Sequence, residues 1–133
     1  MVQQQQQTAR EITVPAVLSS IATLRHWAVD HGRGAGASHG ALAAVELTAS
    51  EVVTNAVVHT PATVDVTMRF SLDGPAMYFE VQDDEQTLPR VRARDAGTPG
   101  GLGLHLVEAL SDRWGCRLGE TGGKVVWFAI GLG

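Results

Sequence analysis

The sequence predicts an α+β fold, a two-layer α/β sandwich in which about three helices cover one face of a mixed, mostly antiparallel sheet. Apolar and polar residues alternate over 63–70, and a turn at 73–75 and a second strand over 76–81 complete a predicted hairpin. Longer segments with apolar residues at helical spacing precede and follow this hairpin. Because hairpins outnumber crossovers in the order β-α-α-β-β-loop-α-β-β, the strands are expected to pair mainly antiparallel.

The N-terminal half contains one short strand and two helices. Residues 11–14 include β-branched side chains and are followed by a proline, which is typical of an edge strand. Apolar residues follow a helical period over about 16–30, and the glycines within 32–36 are expected to end that helix. A second helix is predicted over about 39–59, because Pro61 cannot continue it.

The C-terminal half begins with a segment that shows no period. Prolines, charges and glycines over 83–100 predict a loop of about 17 residues, and loops of this length usually serve a site. A third helix is predicted over 102–110. Strands over 113–118 and 124–130 are then expected to form a closing pair around a glycine-rich turn.

Length and composition limit the classes of protein to be considered. The 133 residues suit a single domain, predicted over 10–133 behind a disordered glutamine-rich tail over 1–9. A formal net charge of -4 gives no sign of direct nucleic-acid binding or of adhesion to an anionic membrane. No uninterrupted apolar run approaches the ~20 residues of a spanning helix, and no signal peptide is apparent. The single cysteine excludes an internal disulfide and fits a cytoplasmic protein.

One predicted helix carries a row of polar side chains. Glu51, Asn55 and His59 lie at four-residue steps, which places them one turn above another on one face. A carboxylate there can deprotonate a water or a hydroxyl, and an amide oxygen one turn away can complete the oxygen shell of Mg²⁺. An isolated pair of this kind is more often a solvated polar stripe, and His59 alone is more simply a residue that caps the helix end.

Two further sets of candidate residues flank the long loop. Asp83 follows the predicted strand and opens the loop, and its carboxylate either accepts a hydrogen bond from an exocyclic amine such as that of adenine or belongs to an acidic turn. Glycines where the third helix begins either let backbone N–H groups approach an anion or only form a tight turn. This second set is Gly101, Leu102, Gly103 and Leu104. Within the loop, three arginines alternate with other residues: Arg90, Arg92 and Arg94. Three interpretations are open for them, namely neutralisation of phosphates, contact with an acidic partner, or simple solvation.

The order of these signals resembles the GHKL (histidine kinase-like) ATPase superfamily, and more closely its small RsbW-like anti-sigma-factor serine/threonine kinases. The similarity covers nearly the whole chain from about Val14. Residues 46–59 match the N box of that family, 81–83 its first glycine box and 101–107 its second. The segment from 112 through 127 also resembles these regulators.

The resemblance implies a Bergerat-type fold that binds ATP with Mg²⁺. In that family pattern Glu51 would be the general base, Asn55 the Mg²⁺ ligand and Asp83 the residue that recognises adenine. The second set of candidates would allow close approach of the phosphates, with residues 90–100 as a lid over ATP. Such kinases phosphorylate a serine of a small antagonist protein of the anti-anti-sigma type and, when unopposed, sequester a sigma factor. Close relatives often form homodimers.

Two glycines of the family's first glycine box are replaced in this chain. The family pattern is Asp-x-Gly-x-Gly, whereas Glu85 and Thr87 stand at the glycine positions. A carboxylate at Glu85 repels phosphates unless Mg²⁺ or an arginine offsets its charge. The sequence therefore leaves open a second function, a degenerate binding module with weak or no ATP binding that acts only by sequestering a partner. A third interpretation is a plain ATPase or a fragment of a sensor kinase. It is disfavoured because the sequence shows no dimerisation helices with a phosphoacceptor histidine before the domain.

Overall fold

The computed structural model of the chain describes residues 10–84, 104–120 and 122–133. These residues form strands and helices that we number in chain order. Their bounds are β1 (Glu11–Pro15), α1 (Ser19–Gly34), α2 (His39–Val58), β2 (Asp65–Asp73), β3 (Ala76–Asp83), α3 (Leu104–Leu110), β4 (Arg113–Leu118) and β5 (Lys124–Gly131). The expected N-terminal tail, the lid with its arginines and the candidate residues Gly101, Leu102 and Gly103 lie outside the described residues.

The five strands belong to one sheet in the order β1-β2-β3-β5-β4, and each neighbouring pair is antiparallel. The described part of the sheet therefore contains no parallel pair, and the α+β class expected from the sequence is confirmed. The central strand is β3, which pairs with β2 through a hairpin and with β5 on its other side. Because β5 returns between β3 and β4, the start of β5 lies beside the end of β3.

The helices cover one face of the sheet. Alternate residues of β3 distinguish the two faces, because Met77, Phe79 and Val81 are buried in the core whereas Tyr78 and Glu80 lie on the opposite side. Helices α1 and α2 pack on this inner face, and α3 packs against α2. Other core side chains come from all three helices and from β2 and β5: Leu24, Val45, Val52, Val53, Val66, Met68, Val107 and Phe128.

The predicted bounds of α1 are wrong at both ends. The helix spans Ser19–Gly34, so it begins three residues and ends four residues later than periodicity indicated. It begins later because the backbone N–H of Ala16 donates to the carbonyl of Val64 at 3.0 Å. It ends later because Gly32 is a buried helical residue, where a Cβ would lie 3.1 Å from Cδ2 of Leu42. Close packing therefore accounts for this glycine, which does not end the helix.

Helix α2 agrees closely with the prediction, and the β2–β3 hairpin forms as expected, although β2 begins two residues and ends three residues later than the predicted 63–70. Helix α2 spans His39–Val58, and the hydroxyl of Ser38 caps it by accepting a hydrogen bond from the backbone N–H of Ala41 at 3.1 Å. Strand β3 continues two residues further than predicted, because Asp83 still pairs with Val66 of β2. The last residue of this central strand is therefore a carboxylate.

By length and composition alone, α2 could also cross a membrane, since it has 20 residues and its most apolar stretch of 18 residues has a mean hydropathy of 1.4. Glu46 and Glu51 interrupt the apolar run, as the sequence indicated, but they do not lower its average hydropathy below that of a possible membrane span. Of the most apolar stretch, 44% is buried inside the domain. A buried core helix meets the same criteria, so this finding is weak evidence for a membrane span.

Gly115 of β4 provides a test of the packing on the outer face. A Cβ at this position would lie 2.9 Å from the indole ring of Trp127. We expect Gly115→Ala to lower the free energy of unfolding by about 1–3 kcal/mol through overpacking, measured by urea denaturation. The control is Gly40→Ala in α2, where a Cβ meets nothing within 4 Å, so stability should stay equal or rise. Equal stability of Gly115→Ala and the unmodified chain would contradict the described packing.

Candidate functional site

Helix α2 presents Glu51 and Asn55 near its C-terminal end. Both side chains are half-buried, and their four-residue spacing places them on one flank of the helix. Because α2 packs against α1, α3 and the sheet, half-buried residues mark the border between its packed and open sides. His59 lies at the C-cap, where its backbone N–H donates to the carbonyl of Asn55 at 3.1 Å, in agreement with the capping interpretation.

A buried hydroxyl lies on the same flank of α2. Thr48 precedes Glu51 by three residues and Asn55 by seven, so all three side chains share one direction around the helix. The residue is 0% exposed, and its hydroxyl has no hydrogen-bond partner within the part of the chain that the structure describes. An unpaired buried hydroxyl is costly, so this flank retains hydrogen-bonding capacity. Its one signal in the sequence is a threonine among the apolar residues of the helix.

Asp83 lies on the inner face of the sheet, at the end of β3. It follows Phe79 and Val81 at alternate positions, and only 7% of the residue is exposed. Its Oδ1 accepts a hydrogen bond from the backbone N–H of Lys124 at 3.3 Å. A carboxylate tolerates burial only with such donors, so the start of β5 supports Asp83 in this position. Sequence reasoning identified Asp83 but missed Lys124, which lies 41 residues away.

The backbone at Gly123 approaches Asp83 closely. Gly123 has a positive φ of 78°, and a Cβ built there would overlap the carbonyl oxygen of Asp83 and lie 3.3 Å from its Oδ1. Glycine is the residue that combines this backbone conformation with the lack of a side chain. The glycine-rich turn between β4 and β5 therefore contacts the backbone of Asp83. From the sequence, this turn was expected only to connect the two strands.

Several predicted site residues converge at one end of the sheet. Six residues connect α2 to β2, and the first residue of β2, Asp65, accepts at its carbonyl a hydrogen bond from the N–H of Asp84 at 3.1 Å. Partial burial, and then the charges of Asp65 and Asp83, raise the pKa of Asp84. The C-terminal end of α2 with Asn55 thus lies toward the same end as Asp83. Leu104 begins α3 and packs against the core.

The comparison with protein families decides the assignment. A family model described as "Histidine kinase-like ATPase domain" matches residues 14–130, which is most of the chain. The chain belongs to the histidine kinase-like ATPase family. Membership supports nucleotide binding and a kinase-like regulatory role for the domain. A search of curated proteins finds no match.

Two solved structures resemble this ATPase domain. One holds the RsbU and RsbW domains of a Mycobacterium tuberculosis protein, with a TM-score of 0.64 and 23% identity over 90% of this chain and 32% of that one. The other is the histidine kinase domain of a blue-light activated histidine kinase from Erythrobacter litoralis, with a TM-score of 0.56 and 25% identity over 90% of this chain and 62% of that one. This chain therefore spans less than two thirds of either protein. The shared fold confirms the GHKL-like architecture.

The outer face of the ATPase domain carries a charged network that sequence reasoning missed. Arg69 of β2 donates to Oε1 of Glu11 at 3.2 Å, to Oε1 of Glu80 at 3.0 Å and to Oε1 of Gln82 at 2.7 Å. Arg117 of β4 donates to Oε2 of Glu80 at 2.7 Å. The carboxylate of Glu80 in β3 thus joins a guanidinium group of the neighbouring β2 to one of β4, which lies beyond β5. Alternation along each strand predicts an outward residue but not which outward residues meet.

The network changes the ionisation of its members. Burial raises the pKa of Glu80, but hydrogen bonds from Tyr78 and Arg117 and the charge of Arg117 outweigh it, so the pKa lies below its ordinary value of 4.5. Burial, followed by the hydrogen bond to Glu80, raises the pKa of Tyr78 to about 12. A groove of about 530 Å³ borders the network on the outer face. Its lining residues are Arg69, Glu80, Gln82, Arg117, Leu118, Gly119, Glu120 and Val125. The groove therefore lies across the sheet from Asp83.

Glu80 makes the stability of the ATPase domain depend on pH. A lowered folded-state pKa stabilises the fold at pH values above the unfolded pKa of 4.5, and that contribution is lost as the pH falls through the folded pKa. We expect Glu80→Gln to cost about 1–2 kcal/mol at pH 7, because its arginine partners are partly exposed. Urea denaturation between pH 7 and pH 3 should show the difference shrinking below about pH 4.5. A difference that is constant with pH would contradict this role.

Proposed function

We propose that this domain binds ATP with Mg²⁺ and acts as a regulatory serine/threonine protein kinase of the anti-sigma-factor type. In this role it phosphorylates a small antagonist protein of the anti-anti-sigma type, sequesters a sigma factor, or does both. The observation that carries the proposal is the buried Asp83 at the end of β3, backed by the N–H of Lys124, in a domain of the histidine kinase-like ATPase family.

The carboxylate of Asp83 suits the adenine ring. A buried carboxylate accepts hydrogen bonds, and the exocyclic amine of adenine donates one. A purine with an oxygen at that position presents an acceptor to the same carboxylate and is repelled. Burial strengthens both the attraction and the repulsion, because little water screens them. The position of Asp83 therefore supports selective binding of adenine nucleotides.

The flank of α2 suits magnesium and proton transfer. Mg²⁺ keeps several waters and binds one or two protein oxygens together with phosphates, so the amide oxygen of Asn55 fits it. Within the described ranges, no three His, Cys, Asp or Glu side chains gather to hold a metal by themselves. Mg²⁺ bound there would offset charge on the phosphates. The buried hydroxyl of Thr48 lies on this flank as an additional polar group.

Glu51 is the general base in this proposal. The serine oxygen of the substrate forms a bond to the γ-phosphorus, and the bond from that phosphorus to the β–γ bridging oxygen breaks. ADP leaves, and the carboxylate of Glu51 takes the hydroxyl proton. Phosphoryl transfer depends mainly on positioning and charge neutralisation, so one base and one metal ligand suffice.

The regulatory assignment is supported by a structural neighbour that contains an RsbW domain. The type of partner, a protein of the sigma-factor regulatory system, is what the resemblance to RsbW-like kinases implies. A homodimer and a location in the cytoplasm belong to the same proposal.

A second candidate function follows from the sequence after Asp83. Glu85 and Thr87 replace two glycines of the family pattern, and a negative charge at Glu85 opposes binding of a triphosphate. In this alternative the domain is a binding module that sequesters its partner with weak or no ATP binding. The two functions differ in one measurable property, the affinity for ATP.

Titration calorimetry with ATP and Mg²⁺ separates these functions. We expect the unmodified chain to bind, Asp83→Asn to weaken binding at least about tenfold, and Asn55→Ala to weaken it only when Mg²⁺ is present. Asp84→Asn makes the same charge change one residue away, at an exposed position, and should preserve the affinity. No heat at millimolar ATP would reject the kinase proposal and favour the binding module.

The role of Glu51 is tested by phosphoryl transfer from labelled ATP to the cognate antagonist protein. We expect Glu51→Ala to bind ATP normally but to label the antagonist at least about 100-fold more slowly, because the general base is missing. Glu46→Ala removes an exposed carboxylate from the same helix and should transfer phosphate at the normal rate. Equal rates for Glu51→Ala and the unmodified chain would exclude Glu51 as the base.

A further inference from the structure

We propose that the turn between β4 and β5 positions Asp83, with Gly123 and the backbone N–H of Lys124 as the positioning groups that give the site its preference for adenine. This inference rests on the proposed function, since it concerns how the same carboxylate recognises a nucleotide. Gly123 and Lys124 are positioning residues, because they act on the ligand only through Asp83.

The first observation is the space between the two backbones. A Cβ at Gly123 would overlap the carbonyl oxygen of Asp83, and the positive φ of 78° at Gly123 is unfavourable for most side chains. Any side chain at this position must therefore push the end of β3 away from β5. The carboxylate of Asp83 moves with its own backbone, so its position depends on the lack of a side chain at Gly123.

The second observation is the direction of the Lys124 N–H. Lys124 pairs with Leu118 of β4, but its N–H donates toward β3, to Oδ1 of Asp83 at 3.3 Å. The adjacent bond between β4 and β5 is made by other groups, from the N–H of Gly119 to the carbonyl of Gly123 at 3.0 Å. The N–H of Lys124 therefore fixes one carboxylate oxygen and with it the rotation of the carboxyl group.

The turn itself is held by further hydrogen bonds. The N–H of Gly122 donates to the carbonyl of Gly119 at 3.2 Å, and the side-chain amide of Gln82 donates to the carbonyl of Gly122 at 3.4 Å. Gln82 in turn accepts from Arg69 in the outer network. The turn is thus tied to both neighbouring strands, which keeps Gly123 and Lys124 in fixed positions relative to Asp83.

The selectivity of the full chain for ATP over ITP, which carries an oxygen in place of the amine, tests this inference. We expect the unmodified chain to bind ATP at least about tenfold more tightly, because the amine donates to a charged acceptor. Gly123→Asn should bring the two dissociation constants within about threefold of each other, since asparagine tolerates the positive φ while its Cβ displaces Asp83. Gly74→Asn is the matched control, because Gly74 has a φ of 60° and open space around it.

A second pair of variants separates positioning from folding. Lys124→Pro removes the N–H at the first residue of a strand, where proline is tolerated, whereas Lys124→Ala keeps the N–H. Both variants lose the lysine side chain. If the proline variant prefers ATP over ITP less strongly than the alanine variant does, as judged from the dissociation constants, the difference reports the loss of the N–H. This pair decides the matter if Gly123→Asn does not fold.

The possible outcomes distinguish the two proposals. No binding of ATP by the unmodified chain overturns both the proposed function and the positioning of Asp83. Equal binding of ATP and ITP by the unmodified chain overturns the positioning and leaves nucleotide binding intact. Unchanged selectivity in Gly123→Asn, or equal ratios in the two Lys124 variants, overturns the positioning alone.

Discussion

The hydrogen bond between the end of β3 and the start of β5 is the contact on which the rest of this structure depends. It exists because β5 returns between β3 and β4, so that Lys124 lies beside Asp83. A carboxylate that is 7% exposed requires a donor, and the backbone supplies one without a second charge. The topology of the sheet therefore creates the environment in which an acid at the end of a core strand is stable.

The sequence predicted the elements whose signals are local. Helix α2 was predicted almost to the residue, because the apolar period and Pro61 lie within or next to it. The hairpin of β2 and β3 was predicted for the same reason. The end of α1 was not, since Gly32 is required by contacts with Leu42 and Met77, which lie in other elements. A glycine that ends a helix and one that permits close packing look identical in a sequence.

In the candidate site, too, local relationships could be predicted from the sequence and long-range ones could not. Helical spacing alone places Glu51 and Asn55 on one flank, so their relationship was visible in the sequence. The support of Asp83 by Gly123 and Lys124 was not, because it joins residues about 40 positions apart through the sheet order. The network of Arg69, Glu80, Gln82 and Arg117 likewise joins three strands through separations of 11 to 37 residues. Long-range pairing of polar groups requires the register, which periodicity does not supply.

The choice between a kinase and a binding module depends on nucleotide binding more than on the catalytic groups. Phosphoryl transfer asks little of the protein beyond a base, a metal ligand and correct placement, and Glu51 and Asn55 suit the first two. In the proposed function, a negative charge at Glu85 would repel the triphosphate, whereas the carboxylate of Asp83 would attract the exocyclic amine of adenine. A domain that holds the purine firmly tolerates a weaker hold on the phosphates, provided that Mg²⁺ offsets the added charge. In the proposed kinase function, the support of Asp83 by Gly123 and Lys124 is the feature that would let this chain bind ATP although two family glycines are replaced.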